Sequence, residues 1–165
     1  MFLLTSSGKK DRMINTGTLK KSVQGKKVLI DSNIIIYLTE EITPFNDLSR
    51  ELFSIIEAGG SEAVFSILSV AEVMQGPIRA GQLRTAMSVK NYLLNFPNSF
   101  CQGITHEVID GVGTDKRVNW KTLRTVDSLI IASGLYAGVD LFISNDRHFV
   151  KSLLPEMLLS FQAKN

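Results

Sequence analysis

Apolar residues along this chain alternate between short solid runs and stripes at helical spacing. Val28, Leu29 and Ile30 form a solid run that stops at Asp31, the pattern of a strand buried on both faces. Residues 33–39 then read as a helix. Pro44 and Asn46 open a second helix over 47–58, where Leu48, Leu52, Phe53, Ile55 and Ile56 share one side and Gly59-Gly60 closes the end. A short strand at 63–66 leads into a helix over 69–75, expected to stop at Gly76-Pro77 because proline cannot donate the next backbone hydrogen bond. A further helix spans 83–95, a strand 100–104, a loop 110–120, an apolar helix 126–137, a last strand 141–143 and a final helix from 147. Strands that alternate with helices predict an α/β sandwich around a parallel sheet.

Composition narrows the class. The chain has 165 residues, 44% hydrophobic and 21% charged, which suits one globular domain with a core of adequate size. One cysteine, Cys101, and two histidines, His106 and His148, exclude an internal disulfide and an all-Cys/His zinc site. No apolar run approaches the roughly 18 residues of a membrane span, and residues 2–4 are too short for a signal-peptide core. The expectation is a soluble, cytoplasmic protein.

The net charge of +2 conceals an asymmetry. Basicity gathers at the front, in Lys9, Lys10, Arg12, Lys20, Lys21, Lys26 and Lys27, against the single acid Asp11. Residues 1–25 therefore read as a basic, polar N-terminal extension and 26–165 as the folded domain. Such an extension is either a loosely packed tail or an arm that touches nucleic acid.

Four acids sit where surface acids usually do not. Asp31 follows the first strand, Glu72 lies near the start of a helix, Asp127 opens the apolar helix, and Asp146 follows the last strand. Each has a plain structural explanation as a helix cap, a Ser69–Glu72 capping box or a partner of the helix dipole. Taken together they suggest more. Strand ends and the helix starts after them share one edge of a parallel sheet, the usual ligand edge. Clustered carboxylates repel and call for a cation. Ligation by oxygen alone suits Mg²⁺, with Mn²⁺ a second choice, and Mg²⁺ commonly pairs carboxylates with phosphate oxygens.

At these positions Asp31-Ser32-Asn33, Val70-Ala71-Glu72-Val73-Met74-Gln75-Gly76, Asp127-Ser128-Leu129-Ile130-Ile131-Ala132-Ser133 and Ser144-Asn145-Asp146-Arg147-His148-Phe149 stand in order. This set resembles the four motifs of PIN-domain ribonucleases, most closely the VapC-type toxins of toxin–antitoxin pairs, over about residues 27–155. The resemblance implies a three-layer α/β/α PIN-like fold with a central, mostly parallel sheet. It also implies a Mg²⁺-dependent endoribonuclease that leaves a 5′-phosphate, a small antitoxin partner and a homodimer. By motif match, Asp31, Glu72, Asp127 and Asp146 would be the catalytic, metal-binding acids, with Asn33 and Ser144 as supporting polar groups.

The less regular stretch before the third acid carries Lys116, Arg117, Trp120, Lys121 and Arg124, candidates for gripping RNA through phosphate contacts and base stacking. The alternative for Trp120 is to fold onto the core. Two rival functions differ in class. A PIN module that binds RNA or a protein without cutting would be favoured by loss of an acid, and all four are present. An aspartyl-phosphate hydrolase of the haloacid-dehalogenase kind needs a second Asp two positions after the first, where this chain has Asn33.

Overall fold

The computed structural model describes residues 13–163. Its centre is a five-stranded, wholly parallel sheet ordered β3-β2-β1-β4-β5. The strands are β1 (Lys27–Ile30), β2 (Glu62–Ser66), β3 (Ser99–Gln102), β4 (Leu141–Ile143) and β5 (Leu158–Leu159). Because side chains alternate along a strand, Val28 and Ile30 face one layer while Leu29 faces the other.

The first layer contains α1 (Thr16–Val23), α2 (Ser32–Thr39), α3 (Asn46–Glu57), α4 (Ile67–Arg79) and α5 (Leu83–Leu94). These helices join Val28, Ile30, Phe65 and Ile143 in one core. The second layer contains α6 (His106–Gly111), α7 (Thr125–Tyr136) and α8 (Arg147–Ser152). There Ile130, Ile131 and Phe149 pack with Leu29, Val64 and Phe142. The expected α/β/α sandwich is what forms.

Two expectations need correction, and one strand goes beyond them. The extension drawn to residue 25 does not stay off the fold: α1 buries Leu19 and Val23 completely, capped by the Asn15 side chain, which accepts from the Thr18 N–H at 2.8 Å. Met13 also bridges Gln162, so this segment closes on the C-terminal edge of the sheet. With only two buried apolar positions beside Lys20 and Lys21, α1 reads as polar in sequence. Residues 1–12, with Lys9, Lys10 and Arg12, lie outside the described residues. Second, α4 continues through Pro77 to Arg79. Proline there removes one backbone bond from the last turn, a loss that the helix survives when little of it remains. The strand at 158–159 is additional to the elements read from the sequence, being too short to be seen in a hydrophobic pattern.

Gly134 sets how closely α7 approaches the sheet, since a Cβ there would run into the Phe142 ring and a Leu29 methyl. Gly134→Ala is expected to cost about 1–3 kcal/mol, the range for overpacking a tight core, seen as a lower denaturation midpoint. An unchanged midpoint would show that α7 can back away freely.

Candidate active site

Strand order reverses between β1 and β4: from β1 the chain adds β2 and β3 on one side, then returns to place β4 and β5 on the other. The carboxyl ends at such a reversal leave a crevice. Asp31 follows β1 there and Ser144 follows β4, the two strands being held in register by Ile30↔Ile143.

Asp31 is 4% exposed and caps α2, its Oδ1 accepting from the Ser32 N–H at 2.8 Å. Its Oδ2 accepts from Ser144 Oγ at 2.6 Å and Asn33 Nδ2 at 3.0 Å. Three donors on a carboxylate with about four acceptor sites leave one site to spare. Burial nonetheless pushes the Asp31 pKa up to about 7, against the lowering effects of Ser144 and Ser32, with the charges of Glu72 and Asp146 adding to the rise. Asp146 caps α8, accepting from the His148 N–H at 2.7 Å, and donates its own N–H to Ser144 Oγ at 3.0 Å. Ser144 thus ties two of the acids together.

Glu72 comes from α4 across the crevice. The capping-box explanation fails for it, because Ser66 caps this helix and Ser69 is a buried residue within it, its Oγ without a partner among the described residues. Burial raises the Glu72 pKa, followed by repulsion from Asp127; a hydrogen bond with the Ser32 side chain and the charge of Arg124 pull it back. Asp127, 5% exposed, lies in the first turn of α7. Its Oδ2 accepts from Arg124 Nε at 2.9 Å, while Arg124 Nη2 stands 3.8 Å from Asp146 Oδ2. The hydrogen bond to Asp127, then its charge, raises the Arg124 pKa.

The structure thus brings Asp31, Asn33, Glu72, Asp127, Ser144 and Asp146 to one crevice. Lys116 and Arg117 are not brought into contact with these acids. Arg117 instead forks onto Asp115, at 3.1 and 2.7 Å. Trp120 packs on the second core and donates Nε1–H to the Asp115 carbonyl at 2.9 Å. His106 is exposed and Cys101 half-buried, and neither reaches the crevice residues.

Two residues have roles here other than those the sequence suggested. Arg124 partners the acids, a role readable in principle from its i,i+3 spacing to Asp127. Asn145 accepts from Ser160 Oγ and the Phe161 N–H, and donates to Tyr37 Oη. Its backbone N–H donates to Asn33 Oδ1 at 3.2 Å, so β5 is fastened to the crevice. No periodic signal marks such a residue.

An all-oxygen donor set in which burial raises the pKa of Asp31 and Glu72 is one that a divalent cation would suit. Among the described residues, however, no three acids, histidines or cysteines are arranged as a ready metal cage. The donors fit such an ion; their present arrangement is that of an arginine-bridged pocket.

Comparison with curated proteins gave no match. Among solved structures, the chain is similar to VapBC2 from Rickettsia felis bound to a DNA fragment from its promoter, at 13% identity and a TM-score of 0.61, covering 82% of this chain and 98% of the other. A toxin–antitoxin complex from Klebsiella pneumoniae aligns at 20% identity and TM-score 0.56, over 83% and 99% of the two chains. VapC20 from Mycobacterium tuberculosis, a sarcin–ricin loop cleaving toxin, aligns at 15% identity and 0.57, over 75% and 93%. At these identities the likeness establishes the fold. The model of the PIN domain matches residues 28–152, most of the chain and all four acids, and on that match the chain belongs to the PIN domain family.

Proposed function

We propose that this protein is a Mg²⁺-dependent endoribonuclease and the toxin of a type II toxin–antitoxin pair. The observation that carries the reading is the convergence of Asp31, Glu72, Asp127 and Asp146 at the switch point of the sheet. Asp31 and Asp127 would hold the cation, and Glu72 and Asp146 would orient the attacking water or hold a second ion. Mn²⁺ suits the same donors. A divalent ion bound there supplies a water of lowered pKa and offsets charge on the scissile phosphate. Ser144 and Asn33 keep Asp31 in one orientation, and burial of Asp31 and Asp127 keeps bulk water from screening them. Lys116, exposed on the loop ahead of α7, would contact the RNA phosphates; Arg117 would have to leave Asp115 to join it.

The complexes named above support a small antitoxin as partner. An acidic crevice that already accommodates a guanidinium suits a partner arginine equally well. Exposed Ile78, Leu83 and Met87 on α4 and α5 support a homodimer. Among the described residues no helix is long and apolar enough to cross a membrane, in keeping with a cytoplasmic site of action. We take residues 13–163 as one PIN domain, with α1 as an integral part.

Incubation with total RNA is expected to generate new 5′-phosphate ends in Mg²⁺ or Mn²⁺ and none in EDTA. Expression of the protein alone should slow growth, and co-expression with a short adjacent gene should restore it. RNA left intact under all three conditions, with RNA still bound, would favour the non-cutting module instead.

A further inference from the structure

Arg124 occupies a position that helix physics disfavours. It is the N-cap of α7, yet it makes no side-chain capping bond, whereas Ser, Thr, Asp or Asn would satisfy an orphan amide there. Its positive charge also lies at the positive end of the helix dipole. Local rules broken without local gain point to a role elsewhere.

That role is visible in the crevice. The guanidinium reaches back over the first turn to Asp127 and across to Asp146, joining acids from two different elements. Its side chain is 67% exposed, so it covers the acids from the solvent side. Asp127 is buried, but the guanidinium end stands in solvent and its contact to Asp146 is long at 3.8 Å, so water can take over the arginine's partners and the arm can leave. Among the described residues, these acids are not arranged as a ready cage.

We propose that Arg124 is the resident cation of this pocket, and that a divalent ion must displace it in order to bind. The proposal rests on the metal-dependent reading above and adds a competition within the chain to it. Apparent affinity for a cation is then reduced by the fraction of molecules in which the arm is swung away. Removing the arm removes that competition. An arm in place nine-tenths of the time weakens cation binding about 10-fold.

The test uses Mn²⁺ alone, without RNA, with the free ion followed by its paramagnetic resonance signal. Wild type is compared with Arg124→Ser, which restores a helix cap, and Arg124→Gln, which keeps most of the arm's length. Lys121→Gln, removing an exposed charge three residues away, controls for net charge. Both Arg124 variants are expected to bind Mn²⁺ about 10-fold more tightly than wild type, and Lys121→Gln to stay near it. Equal gains in all three variants would mean a general charge effect and overturn the proposal. Unchanged or weaker binding in the Arg124 variants would overturn it and leave the metal site standing. Absence of Mn²⁺ binding in all four proteins would overturn the metal site and the proposal with it.

Discussion

Asp127→Asn is expected to remove nearly all RNA cleavage while leaving the protein folded, a loss on the order of 10²-fold or more, as for lost ligands and their close partners. The structure makes it the cleanest of the four acid substitutions. Asp127 has one side-chain hydrogen bond among the described residues, from the exposed Arg124, and an Asn oxygen can still accept it. Asp31→Asn should lose as much activity but at a structural cost. Both Asp31 oxygens face donors, the Ser32 N–H on one side and Ser144 and Asn33 on the other. An amide NH₂ mispairs with one side or the other, at about 1–3 kcal/mol for a buried polar group left unsatisfied. Cleavage by both variants at the wild-type rate, with circular dichroism spectra unchanged, would remove these acids from the reaction.

The metal-free protein should become less stable as pH rises from about 4 to about 8, and Asp31 is the principal cause. Its pKa rises from 3.8 to about 7 on folding, so the folded state holds the proton more tightly than the unfolded chain. Stability changes with pH in proportion to protons bound in the unfolded state minus those bound in the folded state. That difference is negative between the two pKa values, so stability falls through this window and levels off above the upper one. A shift of this size corresponds to a few kcal/mol at about 1.4 kcal/mol per pKa unit. For a chain of this length that is roughly 2–4 °C of melting temperature per kcal/mol. Glu72 acts in the same direction, more weakly because it stands at the exposed rim. Asp31→Asn should flatten the fall, and Mg²⁺ should reverse it at pH 8 by favouring the ionised form and binding only the folded state. Melts in EDTA at pH 5 and pH 8 measure this directly. A wild type and variant with identical pH dependence would show that Asp31 does not carry the charge strain of the crevice.

The interior strands and the large helices were legible because burial on both sides writes a simple pattern. Val28-Leu29-Ile30 has nowhere to go but the middle of a sheet, and the stripe of α3 has only one apolar side. Helix α1 and β5 were illegible for the opposite reason. Each contributes two apolar residues, and each depends on pairing outside its own sequence: just before α1 the Ile14 N–H donates to the Phe161 carbonyl at the other end of the chain, and β5 pairs with β4 across the intervening α8. Pro77 does not end α4, because the lost bond falls near the end of a helix that packs against α5, and a local rule about helix ends carries no information on that packing.

The chemistry divides in the same way. Sequence alone determined which side chains could meet, since Asp31, Ser144 and Asp146 follow strand ends and strand ends of a parallel sheet share an edge. It determined an oxygen-only donor set, because the chain offers one cysteine and two histidines. Only the tertiary structure decided how charge is distributed among the acids. Desolvation depends on everything packed around a group, so Asp31 bears the burden of burial while Asp127 is partnered by Arg124. Only the structure turned the basic residues before α7 into separate cases, Arg117 held by Asp115, Trp120 folded onto the core and Arg124 laid across the pocket. A charge's partner is set by distance in space, and sequence spacing fixes that distance only within a helix turn or along a strand.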